Sequence, residues 1–466
     1  MAIKRLNFRE VINLTDKSGS LNLFALAVPM FFQQLCTMML GTVSTVILAR
    51  VSGNAVTAVN VANMVINIPL NLIAMITNGM LIILGIYLGA GRTENIGDTY
   101  VTGMIANAVL SIFLSVVSYA AANPILSIMN INGEILKEAV LYFRIRMIFI
   151  VLTALTNCIC AALRAYGIVR PTLISGLLAN GINVLVSLAA INSSFVADKV
   201  AGIAFAAVIG QLIGFIYVFA EFHRCGNVPR KGHFTLPILQ RVLKVGIPAG
   251  MSLLTYVITA AFSTAVIASL GQEAVNVKVF TSNISGFTYL FGYAVAQAGA
   301  LMISRCVGSG RNGLADRLFK LNARFVPLLN AALAFIVFVM SGPLMSFFTD
   351  NSDYISEARI IFLIDIIIET ARGNTHVGEN ALCSTADTLF AAIVTITSCI
   401  VFGAFGSWLL CIKFGLGLYG YFVASAIDET VRGILFRIRW KSGRWSVAAK
   451  NIGCLLYTSP SPRDST

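Results

Sequence analysis

The chain has 466 residues, 57% of them hydrophobic and 11% charged, with a mean hydropathy of +0.84. Its apolar residues fall in blocks longer than the roughly 18 that mark a membrane span, which excludes an ordinary soluble globular protein. The net charge of +13 comes from Lys and Arg lying between those blocks rather than on one face, so it reads as topology and carries no nucleic-acid signal.

The N-terminal "MAIKRLNFREVINLTDKSGS" has no apolar stretch after its basic residues, so residues 1–19 read as a cytoplasmic lead-in rather than a signal peptide. Twelve spans are then predicted near 20–48, 55–88, 98–121, 138–165, 170–191, 198–221, 237–268, 274–306, 320–341, 355–386, 388–412 and 416–436. Several exceed the roughly 20 residues a bilayer needs, which implies tilt, kinks or protruding ends. With an even number of spans, Lys4, Arg5, Arg9, Lys17, Arg224, Arg230, Lys231, Arg437, Arg439, Lys441 and Arg444 all lie on one side. The positive-inside rule makes that side cytoplasmic, with both termini there. The expectation is an all-α membrane protein in the plasma membrane, or the inner membrane of a Gram-negative source. Its predicted parts are a six-helix lobe at 20–222, a basic linker at 223–236, a second six-helix lobe at 237–445 and a tail at 446–466. Within the tail, "CLLYTSPSPRD" (454–464) resembles a translated sequencing adapter and is set aside as an expected artefact.

A repeat links the lobes. Pro29 corresponds to Pro248 (248 − 29 = 219), and the same shift carries Ser44 and Thr45 onto Ser263 and Thr264, and Ala55 and Val56 onto Ala274 and Val275. It also carries "GAGR" (89–92) onto "GSGR" (308–311), and Ala162 and Leu163 onto Ala381 and Leu382. Parallel repeats of this kind occur in secondary transporters, with the substrate site expected between the halves. "GAGR" and "GSGR" lack the spacing and Lys of a phosphate loop and read as tight turns.

Polar chemistry concentrates in "IDIIIETARGNTHVGENALCSTAD", residues 364–387. At about 100° per residue, Asp365, Glu369, Arg372, His376, Glu379, Cys383 and Asp387 share one helical face. An ionised side chain at mid-membrane costs roughly 2.5–3.5 kcal/mol, so this face must meet protein or water. Glu369 and Arg372 could simply neutralise one another, but one Arg does not balance Asp365, Glu369 and Glu379. The surplus suits a proton or cation pathway, with Glu369 as first candidate for the carrier and Asp365 second. Burial favours a protonated carboxylate and a nearby Arg the ionised one, so Arg372 could tune Glu369. Neutralisation by an inward proton or an outward substrate, but not both, would give antiport. His376 is a structural residue or, from its place on the stripe, a relay. Arg372, His376 and Asn380 are candidate cavity residues, as are Gln33, Gln34 and Asn67, for which helix packing is the alternative. Asp428, Glu429 and Arg432 read as a structural ion pair. The nine cysteines show no metal or CxxC spacing, so neither disulfide, metal nor cofactor is expected beyond a proton or sodium as coupling ion.

"KVGIPAGMSLLTYV", "LGQEAVNVKVFTSNI", "ETARGN" followed by "NALCSTAD", and "IDETVRGILFRIRWKSGRW" resemble the multidrug and toxic compound extrusion (MATE) transporters, in particular the branch containing DinF-type proteins. The resemblance covers Leu21 to about Trp445. It implies twelve helices in two lobes around a central cavity, exporting small amphiphilic, often cationic compounds in exchange for protons or sodium. The chain departs from the family pattern at three acidic positions, where it has Ser44, Ser187 and Ser252. Asn180 and Asn183 match the family's asparagines and are candidate substrate contacts or packing residues. Partners expected are such amphiphiles and the bilayer, with a monomer as the unit. A flippase for a lipid-linked precursor is an alternative that a basic cavity would favour. A membrane-embedded enzyme or scaffold is another, although no nucleophile-base cluster supports catalysis.

Overall fold

A computed structural model of the chain describes residues 12–16, 19–49, 52–129, 131–193, 198–226, 228 and 231–447. The adapter-like segment 454–464 lies outside the described residues, as do Arg230 and most of the lead-in. Where the first span was predicted to begin, the chain instead forms an antiparallel hairpin of β1 (Asn13–Asp16) and β2 (Gly19–Asn22). Asn22 explains the switch to helix: it donates to Asn13 Oδ1 at 2.6 Å, and its own Oδ1 accepts from the Ala25 N–H at 2.8 Å. A side-chain acceptor of this kind satisfies one of the free donors at a helix start.

Helices then follow to the end of the described chain. The first half contains α1 (Leu23–Ala49), α2 (Gly53–Ala90), α3 (Glu94–Ala120), α4 (Ala122–Ser127), α5 (Gly133–Ile148), α6 (Ile150–Ala165), α7 (Arg170–Asn192) and α8 (Lys199–Arg224). The second contains α9 (Leu236–Ala268), α10 (Gln272–Ser285), α11 (Leu290–Gly308), α12 (Asn312–Val339), α13 (Ser341–Ser346) and α14 (Ser352–Ser384). It ends with α15 (Thr388–Ser398), wider π-helical turns at 399–405 and 409–413 around α16 (Gly406–Trp408), and α17 (Gly417–Lys441).

Among the described residues, eight helices are individually long and apolar enough to cross a membrane, or nine if the bent pair α5 and α6 is one span. The other three predicted spans are α1, whose described apolar stretch covers 23–39, and the charged helices α14 and α17.

The 219-residue shift recurs in the helix boundaries. It carries Gly53 to Gln272, Ala120 to Val339, Ser127 to Ser346, Gly133 to Ser352 and Ala165 to Ser384, each an element end. It also carries the helix caps. Arg92 N–H donates to Tyr87 O at 3.1 Å, and Arg311 N–H to Cys306 O at 2.8 Å. The residues before them, Gly91 and Gly310, take φ of 71° and 73°, the left-handed conformation such a helix stop requires. "GAGR" and "GSGR" are thus matched turns.

The halves differ in where a helix is interrupted. The predicted span 138–165 bends by 46° between α5 and α6 at Phe149, whereas its counterpart α14 is continuous. Conversely α2 is continuous, and the predicted span 274–306 is two helices, α10 and α11, separated by residues 286–289.

The chain divides into two compact units: Met1–Phe31 with Leu88–Gly91 and Met251–Thr466, and Phe32–Tyr87 with Arg92–Gly250. Two of the cuts come after Phe31 and Gly250 (250 − 31 = 219), each two residues past a proline inside a helix, Pro29 and Pro248. Proline removes a ladder hydrogen bond and kinks a helix there.

Candidate functional site

In the unit containing the second half, α14 packs against α11, α12 and α17. Small residues set the spacing: a Cβ on Gly373 would stand 2.8 Å from the Pro327 Cα, and one on Gly378 2.5 Å from the Phe436 Cβ. Glycines at such crossings let backbones approach, as is common between membrane helices. The approach brings the polar face of α14 against the polar residues of α17.

The result is a chain of buried charge. Glu369 is fully buried and ion-paired with Arg372, whose Nε lies 3.4 Å from Glu429 Oε1. Glu429 Oε1 also meets Arg432 at 2.9 Å, and Arg432 holds Asp428 at 2.7 Å. Two guanidiniums therefore serve three carboxylates. A further carboxylate stands at each end, accepting from a hydroxyl: Asp365 from Ser285 at 2.6 Å, and Glu379 from Thr395 at 3.2 Å. Buried charge of this density persists only when hydrogen-bonded. Ser398 supplies one more bond, to Asp428 at 2.6 Å.

The break between α10 and α11 serves the same place. Ser285 ends α10, and Tyr289 in the break puts its ring 5.4 Å from the Arg372 guanidinium carbon. His376 lies against Tyr289 and Tyr293, with ring centroids 5.9 and 4.7 Å away, and its buried Nε2 has no hydrogen-bond partner among the described residues. Asn380 donates to the His376 carbonyl at 2.9 Å, so its amide is tied to its own helix. Asp387 stands apart from the network, in a two-bond pair with Arg439 at 2.7 and 3.0 Å.

The sequence identified the α14 residues and set Asp428, Glu429 and Arg432 aside as a separate ion pair. They are ion-paired, and through Glu429 they join the same chain. Ser285, Tyr289 and Tyr293 were not singled out. Their only signal was their position in "TSNISGFTYLFGY", where small and polar residues interrupt an apolar block.

The other unit holds a cavity of about 310 Å³. Gln33 and Asn180 line it, together with Thr77, Asn157, Arg164 and Gln211. Arg164 Nη2 donates to Gln33 Oε1 at 3.0 Å. Among the lining residues Arg164 is the one charged side chain, and none is a carboxylate. Asn183 lies outside the lining and accepts from the buried Ser187 hydroxyl at 3.3 Å. Asn67 is exposed on α2, Gln34 is half-buried on α1, and Ser252 is buried on α9. Ser44 falls within α1, with its side chain outside the described residues.

A family model described as MatE matches residues 29–189 and 248–409, and the two matches begin 219 residues apart (248 − 29). The chain is 27% identical over 449 residues to the uncharacterized transporter YisQ of Bacillus subtilis, covering 95% of this chain and 99% of that one. It is 24% identical over 442 residues to a probable multidrug resistance protein NorM of Neisseria meningitidis serogroup A, covering 88% and 92%. A solved outward-facing multidrug resistance MATE family transporter of the MOP superfamily shares the fold with a TM-score of 0.85, at 17% identity, over 92% of this chain and 96% of that one.

Proposed function

Because this chain belongs to the MatE family of multi-pass membrane transporters, we propose that it is a secondary active antiporter that exports small amphiphilic compounds in exchange for protons or sodium. The observation that carries this reading is the sharing of Arg372 by Glu369 and Glu429 inside a buried network where carboxylates outnumber guanidiniums. When a proton or cation neutralises Glu369, Arg372 is released towards Glu429, and when it leaves, Arg372 returns. Such a partner exchange gives a two-state element whose balance the coupling ion biases. Asp365, one turn away and bonded to Ser285, is the second carrier. A cationic cargo would find its counter-charge on this network, not in the cavity of the first half, whose lining has no carboxylate. A flippase for a lipid-linked precursor calls for several basic groups, and that lining offers Arg164 alone.

The test is reconstitution of the full chain in liposomes preloaded with cationic, neutral or anionic amphiphiles, with release followed under an imposed proton or sodium gradient. The gradient should accelerate release of at least one compound from wild type. Acceleration should be lost in a folded Glu369→Gln variant and reduced in Asp365→Asn. Equal coupling in wild type and Glu369→Gln would remove Glu369 as carrier; no gradient effect on any compound would remove antiport itself.

A further inference from the structure

The 219-residue shift compares the two polar faces position by position. The α14 stripe residues Arg372, His376, Glu379 and Cys383 correspond to Thr153, Asn157, Cys160 and Arg164 (372 − 153 = 376 − 157 = 379 − 160 = 383 − 164 = 219). All four first-half residues line the 310 Å³ cavity. Further along the stripe, Asp365 corresponds to Arg146 and Glu369 to Ile150 (365 − 146 = 369 − 150 = 219). The same face of the same repeat thus carries surplus carboxylate in the second half and guanidinium without carboxylate in the first.

Arg164 does more than fix topology from a helix end. It closes α6, where a cation favours the helix dipole, yet its side chain lines the cavity and is held by Gln33 of another helix. Its Nε is buried with no hydrogen-bond partner among the described residues. A guanidinium is charged at every accessible pH and can be neutralised only by an anion. The rest of the lining is neutral, and the side-chain amides of Asn157, Asn180 and Gln211 in it carry N–H donors. The volume lies at the small end of ligand pockets, about 300–1,000 Å³. It suits one small two-ring molecule rather than a lipid-linked sugar.

We propose that the cavity of the first half is a binding site for an organic anion, a carboxylate or phosphate ester on a small amphiphile, with Arg164 as its counter-ion. This deepens the transport reading by naming the charge class of the cargo, and it is tested by binding, without transport.

Four probes of one shape separate charge from apolar contact: 2-naphthoate, 2-naphthyl phosphate, 2-naphthalenemethanol and 2-naphthylmethylammonium. Equilibrium dialysis with the full chain in a non-ionic detergent gives their affinities. The anions should bind at least about tenfold tighter than the ammonium, the size expected of a charge-assisted hydrogen bond. Arg164→Gln should weaken anion binding about tenfold and leave the alcohol unchanged, while Arg164→Lys should retain part of the preference. The ratio between the two anions reads whether carboxylate or phosphate is preferred. The proposal is overturned if the ammonium binds as tightly as the anions, if folded Arg164→Gln binds anions like wild type, or if none of the four binds wild type. Should Arg164→Gln not fold, wild-type selectivity alone decides. Failure here leaves gradient-driven release intact, and loss of gradient-driven release leaves the binding result intact.

Discussion

Ala386 adopts φ of 64°, and Gly167, 219 positions earlier, adopts φ of 80°. Both follow a helix that stops in the same way: Ile168 N–H donates to Leu163 O at 2.9 Å, and Asp387 N–H to Leu382 O at 3.0 Å. The left-handed conformation costs a residue with a Cβ about 1–2 kcal/mol, part of which a glycine gives back through its freer unfolded chain. Ala386→Gly should therefore raise stability by about 0.5–1 kcal/mol, and Gly167→Ala should lower it by a similar amount. Thermal unfolding in detergent of the two variants checks both signs.

Removing Arg372 leaves Glu369 and Glu429 buried with one guanidinium fewer. Arg372→Gln should cost about 3–5 kcal/mol, the usual result of orphaning a buried charge. The double variant Arg372→Gln with Glu369→Gln should recover much of the loss, because the uncompensated charge has gone too. A double-mutant cycle on unfolding midpoints measures this coupling, and additive effects would mean that the pair is not energetically linked.

The Ser285 hydroxyl, at the end of α10, donates to Asp365 on α14. Ser285→Ala should cost about 1–3 kcal/mol as the carboxyl loses its partner. The cost should shrink when Asp365 is first changed to Asn, and denaturant titration of the four proteins reads it.

Gly378→Leu would drive a side chain into Phe436, and Gly373→Val into the backbone at Pro327. Each should destabilise by about 1–3 kcal/mol or more through overpacking. Both should also weaken coupling, since Gly378→Leu moves α14 away from α17 and Gly373→Val moves it away from α12. Melting temperature and gradient-driven release should fall together, whereas a fall in stability alone would separate packing from coupling.

The twelve segments and their repeat were legible because apolar blocks are long and Pro29, Pro248 and the two glycine turns mark matching positions. The interruptions were less so. The block 274–306 is interrupted by small and polar residues from Thr281 to Thr288, but such residues also occur inside continuous helices, and they do not say that the helix stops at Gly286–Tyr289 while that of Pro69 continues. The α14 stripe was legible because charge is expensive in such a block. Its partner was not: the periodicity of Asp428, Glu429 and Arg432 gives a face of α17 but not the helix it meets. Arg164 was not singled out in the sequence, and its bond to Gln33, 131 residues away, places it in a cavity.

The matched turns at Gly91 and Gly310 also bear on how such a chain acquires new chemistry. Two halves that start and stop their helices at corresponding positions share a frame, so side chains on one half can change sign without moving the frame of the other. Each half then serves as an internal control for its twin. A substitution at a shared helix stop should act alike in both, whereas one on the polar faces should act in only one.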